Sequence, residues 1–220
     1  MKVNRFTFNM FGVNTYVLWD EQSKDAIIID PGMINDNERH MFDCFIESNK
    51  LNPIHLINTH MHIDHSFGVV HVSQKYGLKL ECNIADQFLA ERLTNQAIMF
   101  GLTISIEDLI IGKNIHDGDK LKIGNEEILM LHVPGHSPGS VVLYAPDSSF
   151  IISGDVLFYK SIGRTDLPGG NCTQLIEGIN LGGQMRITVL YQKLIWTFKM
   201  NTFTPFNAWC FLFQYHLSFK

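Results

Sequence analysis

The chain has 220 residues, enough for one domain with a sizeable core, and 45 % of them are hydrophobic, a share normal for a soluble globular protein. A formal net charge of −5 argues against a nucleic-acid binder, whose footprint would be basic. The start, Met1–Phe11, alternates polar and apolar residues and lacks the continuous apolar stretch of a secretory signal. Cys44, Cys82, Cys172 and Cys210 form no CxxC pair, so buried free thiols and a cytoplasmic setting are expected.

In chain order, Val3–Asn9 and Val13–Trp19 read as strands joined at Met10-Phe11-Gly12, a hairpin signal. Ala26–Ile29 is a third, buried strand, ended by Asp30-Pro31-Gly32. Asn35 can cap a helix running to about Asn49, with Met41, Phe42, Phe45 and Ile46 at helical spacing. Pro53–Asn58 reads as a buried strand that delivers Thr59-His60-Met61-His62-Ile63-Asp64-His65. Histidines at i, i+2 and i+5 with Asp at i+4 cannot share one helical face, so this segment is expected as a loop. Phe67–Tyr76 reads as a helix ended by Gly77, and Asp86–Phe100 as one long amphipathic helix ended by Gly101. Met99-Phe100 and the stretch Leu102–Ile111 suit either a substrate mouth or plain packing. His116-Asp117-Gly118-Asp119 is a turn. Residues 121–133, 140–145 and 150–154 supply strands of a second sheet, and Thr173–Ile179 reads as a helix.

Three of the ten histidines and one aspartate fall between His60 and His65, a density that points to a metal site. Imidazole nitrogen and carboxylate oxygen suit Zn²⁺ and similar divalent ions. His136 lies in the turn Pro134–Ser140 after an apolar strand, and Asp155 follows the apolar run Phe150-Ile151-Ile152. Each candidate ligand therefore leaves the end of a strand, where α/β folds usually place ligands. No Gly-x-Ser-x-Gly elbow or P-loop occurs, so serine hydrolysis and nucleotide chemistry lack support.

These motifs resemble those of metallo-β-lactamase-fold hydrolases, glyoxalase II-like branch (hydroxyacylglutathione hydrolase-like): His60-Met-His62-Ile-Asp64-His65, Gly135-His136-Ser-Pro-Gly-Ser, Ser-Gly154-Asp155 and Ile29-Asp30-Pro31-Gly32. The resemblance implies an α/β fold, the αββα sandwich, over residues 1–180. It implies that His60, His62 and His136 hold one metal, Asp64 and His65 a second, and that Asp155 bridges them. Two zinc ions are the family pattern, with one here, or Fe or Mn, as alternatives. A hydroxide between the metals would attack a thioester carbonyl, with Asp64 also orienting the water. Arg164, in the loop Ser161–Gly170, would either bind a substrate carboxylate or pair with Asp166. The other functions that the residues allow are a mononuclear iron enzyme like the persulfide dioxygenases and an inactive, truncated metal-binding protein. A small-molecule substrate is expected, without nucleic acid or membrane.

The family closes its second site with a histidine in a late Gly-His-Gly turn, and this chain has none. His216 is the one histidine after His136, and it reads as a tail histidine. Residues 181–220 hold no Asp or Glu but contain Arg186, Lys193, Lys199 and Lys220, with two of the three tryptophans and six of the sixteen phenylalanines. A frameshifted or mis-spliced end would explain this composition, leaving the C-terminal strand and helix missing or altered; a divergent natural terminus is the alternative. Met200–Phe219 has the length of a membrane span, but Asn201, Pro205, Asn207, Gln214 and His216 weaken insertion.

Overall fold

The protein is described by a computed structural model covering residues 1–180 apart from Ser105. The tail, with His216, Cys210 and Met200–Phe219, lies outside the described residues. Strands β1 (Lys2–Phe8) and β2 (Val13–Trp19) form the expected hairpin, with Phe8 opposite Val13. Strand β3 (Asp25–Ile29) adds antiparallel to β2, and then the direction changes. Strands β4 (Asn52–Ile57), β5 (Leu80–Cys82) and β6 (Lys113–Asn114) follow in parallel, giving a six-stranded sheet in sequence order. A second, antiparallel sheet has the order β10-β9-β8-β7, from β7 (Lys120–Ile123), β8 (Glu126–His132), β9 (Val141–Ala145) and β10 (Phe150–Ile152). Strands β11 (Leu157–Phe158) and β12 (Ser161–Ile162) make a small separate hairpin.

The period-2 alternation of the strands decides the layering. On β3, Ala26 and Ile28 face one core with Phe42 and Ile46 of helix α1 (Asp36–Ser48) and Val69 and Val72 of helix α2 (Val69–Tyr76). Ile27 and Ile29 point the other way, against Ile128, Met130, Val141 and Leu143 of the second sheet. The opposite face of that sheet, with Leu131 and Val142, packs on Leu175 of helix α5 (Cys172–Asn180). Helix, sheet, sheet, helix is the expected αββα sandwich. Burying one such Ile or Leu contributes about 1.5–3 kcal/mol, and the cores overlie one another across both sheets.

Asn35 caps α1 as the sequence suggests: its side chain accepts from Glu38 N at 3.0 Å. Gly77 ends α2 in the left-handed conformation, with φ at 68°. Three expectations need correction. The helix expected over Asp86–Phe100 is two short ones, α3 (Gln87–Ala90) and α4 (Leu93–Met99), broken where Arg92 takes φ −140° and ψ 32°. The strand expected over residues 121–133 is the β7–β8 hairpin, turning at Gly124 with φ 57°. Cys44, Cys82 and Cys172 are free, but only Cys82 is buried, because Cys44 and Cys172 sit on outward helix positions. Leu102, Ile104, Ile106 and Leu109 pack on Ile63 and Phe67, so that stretch serves packing.

Candidate metal centre

Three strand ends deliver the candidate ligands. Strand β4 runs into Asn58-Thr59-His60, after which Ile63–His65 makes one 3-10 turn. Turns after β8 and β10 bring His136 and Asp155 to the same end of the sandwich. The three imidazoles of His60, His62 and His136 are buried. His62 Nδ1 lies 2.8 Å from His136 Nε2, which lies 3.2 Å from His60 Nε2. These three nitrogens form one group that could hold a metal ion; His60, His65 and Asp155 form another. Asp155 stands between them, with Oδ1 3.4 Å from His65 Nε2 and Oδ2 3.6 Å from His136 Nε2. Asp64 Oδ2 is 3.8 Å from His65 Nε2. All six residues expected as ligands thus meet at one place.

Hydrogen-bond partners fix which ring nitrogens are bare. Thr59 donates its one hydroxyl proton to Asp30 Oδ2 at 2.7 Å, so towards His60 Nδ1, 3.1 Å away, it can only accept. His60 Nδ1 therefore carries the proton and Nε2 presents a lone pair. His136 Nδ1 lies 2.8 Å from the Arg164 carbonyl oxygen, which again leaves Nε2 bare. Two lone pairs facing each other at 3.2 Å repel unless a cation lies between them. Zinc–nitrogen bonds of about 2.0–2.1 Å in a tetrahedron would put the nitrogens about 3.3 Å apart. The donor set fits a divalent cation.

Residues 9–184 match the Metallo-beta-lactamase superfamily. The chain belongs to that superfamily. It is 34 % identical to the hydroxyacylglutathione hydrolase GloC of Haemophilus influenzae, over 81 % of this chain and 82 % of the relative. Mouse mitochondrial persulfide dioxygenase ETHE1 is 28 % identical, over 76 % of this chain and 56 % of that protein. Among solved structures, the di-iron-bound form of TTHA1623 superimposes with a TM-score of 0.71 at 28 % identity, covering 83 % of this chain and 87 % of that one.

The electrostatics of this superfamily site suit a cation. Burial holds His60 far below the ordinary histidine value and His62 down at about 3, so both are neutral at pH 7, the form a metal requires. Burial also pushes His65 down, but Asp64, Asp30 and Asp155 outweigh it and hold its proton tightly. Burial pushes Asp155 up, and the neighbouring His65 more than reverses this, to about 2. Burial raises Asp64. A metal held by these residues would supply the counter-charge that the His65 proton supplies to the carboxylates.

Asp64, His65 and Asp155 open onto a cavity of about 260 Å³, walled on its apolar side by Phe11, Ile151, Leu157 and Phe158. Arg164 contributes its backbone carbonyl to His136, while its guanidinium makes a two-point pair with Asp166, each bond 2.7 Å. Two organisers escaped the sequence. Asp30, in the left-handed region at φ 50°, accepts from Thr59 N and Oγ1, both at 2.7 Å, and lies 3.0 Å from His65 Nδ1, a charge contact rather than an aligned hydrogen bond. In the sequence its Asp-Pro-Gly setting marks a strand end and forms part of the family resemblance, with no role given to Asp30 itself. Asp86 read as the start of a helix, and nothing in the sequence marked it as buried against the ligand loops.

Proposed function

We propose that this superfamily member is a metal-dependent hydrolase of a thioester, like a hydroxyacylglutathione hydrolase, with water as the nucleophile. The observation that carries the proposal is the convergence of His60 Nε2, His62 Nδ1 and His136 Nε2, with Asp155 offering one oxygen to each side. The similarity to GloC supports the substrate class; the name of that enzyme's substrate denotes a thioester of glutathione. His60, His62 and His136 would hold the first cation, Asp64 and His65 the second, and Asp155 would bridge; zinc, iron and manganese all suit such donors. A bound divalent cation lowers the pKa of water to about 7 and stabilises the oxyanion that develops on the carbonyl. Asp64 accepts a hydrogen bond from the water and turns its lone pair to the carbonyl carbon. Arg164 meets a substrate carboxylate by exchanging Asp166 for it, and the apolar cavity wall shields the reacting centre from bulk water. This reading carries a small-molecule substrate and a cytoplasmic setting; among the described residues no helix is long and apolar enough to cross a membrane.

The experiment is turnover of lactoylglutathione by purified protein, before and after chelation and after re-addition of zinc, iron or manganese. Metal-dependent release of the thiol supports the proposal; no turnover with any metal contradicts it. A second reading, a mononuclear iron persulfide dioxygenase, has the support of the mouse relative. It needs only His60, His62, His136 and Asp155 from the set. Oxygen consumption with a persulfide and one iron per chain would favour it. A third, a truncated metal-binding protein, follows if residues 181–220 replace a native end that carried the last histidine ligand. Translating the other two frames after codon 180 tests that origin: a Gly-His-Gly segment is expected there, and its absence argues for a divergent natural terminus.

A further inference from the structure

Behind the loops that carry the candidate ligands, Asp86, just before α3, and Gln96 of α4 reach inward. Asp86 is fully buried, and its carboxylate accepts three donors: Met61 N at 3.0 Å, Ser137 Oγ at 2.7 Å and Gly139 N at 2.6 Å. Met61 lies between His60 and His62, and Ser137 follows His136. Gln96, also buried, accepts from Ile63 N at 3.1 Å and donates to Met61 O at 3.2 Å and Leu89 O at 2.9 Å. The backbone on both sides of His62 is thereby held from behind. Ser137 Oγ gives its one proton to Asp86 and therefore accepts from Ser140 Oγ, which itself accepts from Ser137 N. Three donors on two oxygens require a carboxylate: an amide would turn an NH₂ group towards one of them. Gly139 keeps the approach open, because a Cβ there would lie 2.6 Å from the Asp86 Cγ.

A buried carboxylate is costly unless fully hydrogen-bonded, and an apolar side chain could have filled the space. From outside both loops, Asp86 hydrogen-bonds the backbone of the His60–His65 loop at Met61 and the His136 loop at Ser137 and Gly139. We propose that Asp86 is a positioning residue of the metal centre, coupling the two loops so that the three imidazoles keep their mutual spacing, with Gln96 steadying the first loop. The inference rests on the proposed metal site but on neither substrate nor reaction.

The test is cobalt(II) affinity, measured by competition with a chromophoric chelator, together with the visible spectrum of the cobalt protein. Asp86→Asn, of equal size, is expected to lose about 10–100-fold in affinity and to shift the cobalt bands. Ser137→Ala should lose less, and its effect should vanish in the Asp86→Asn background. Ile123→Ala, in the core of β7, supplies a control that lowers the melting temperature without touching the loops and should leave affinity unchanged. Wild-type affinity and spectrum in Asp86→Asn, or an equal loss in Ile123→Ala, would overturn the proposal. Should Asp86→Asn fail to fold, Ser137→Ala decides by the same criterion. If the unaltered protein takes up no cobalt, the metal reading itself falls and this inference with it, a result distinct from the others.

Discussion

The single hydroxyl proton of Thr59 decides how His60 is presented. Because Asp30 takes that proton, the oxygen accepts from His60 Nδ1 and leaves Nε2 bare towards His62 and His136. Thr59→Val keeps the shape and removes the hydroxyl, so His60 can rotate or change tautomer. An affinity loss for zinc of about 10-fold is expected, read by chelator competition. Gly154 shows a different constraint. It sits at φ 47°, and a Cβ there would collide with Thr59 Oγ1. Gly154→Ala should cost about 1–3 kcal/mol, measured by denaturant unfolding, and should also weaken metal binding, since Thr59 must move.

At the scale of elements, the helices are pinned as deliberately as the loops. Asp43 on α1 meets His71 Nε2 at 3.0 Å, Lys75 Nζ at 2.9 Å and Tyr76 Oη at 3.0 Å, all from α2. Burial pushes its carboxyl up, and hydrogen bonds from Lys75, His71 and Tyr76 outweigh that, so it lies below the ordinary aspartate value. A depressed carboxylate stabilises the fold above its unfolded value and loses that contribution as the pH falls through its folded one. Asp43→Asn should therefore lower the melting temperature at pH 7 and flatten its fall between about pH 5 and pH 3. A fall as steep as that of the unaltered protein would refute this role. The convergence of the candidate ligand residues was legible in the sequence because histidines and an aspartate crowd a short loop after an apolar strand, a pattern that packing does not produce. The break between α3 and α4 was not, since the apolar spacing runs on through Glu91 and Arg92 and only the tertiary bonds of Gln96 reveal it. Strands β5 and β6 are too short to show a period. The β7–β8 turn does carry a polar signal, Gly124-Asn125-Glu126-Glu127, between Ile123 and the apolar run Ile128–Leu131.

For the whole molecule, two sheets face to face bring the ends of β4, β8 and β10 to one rim, and in the proposed reading residues far apart in sequence share a cation there. The layer order was anticipated from the family resemblance, and the Ile run of β3, buried on both faces, shows why layers cover it from both sides. The spacing of His136 from His60 could not be anticipated, since it depends on how the sheets pack and on the buried Asp86. Metal content relates this architecture to the composition of residues 181–220. If those residues replace the native end, purified protein should hold about one ion per chain, and about two would sink that idea. The central claim, that His60, His62 and His136 with Asp155 hold a divalent cation that powers hydrolysis, meets its most direct test in elemental analysis of purified protein alongside His60→Ala and His136→Ala. The account expects a divalent metal retained by the unaltered protein, lost in both variants, and thioester turnover that disappears with it. Turnover that survives complete metal loss, or metal retained by both variants, would contradict it.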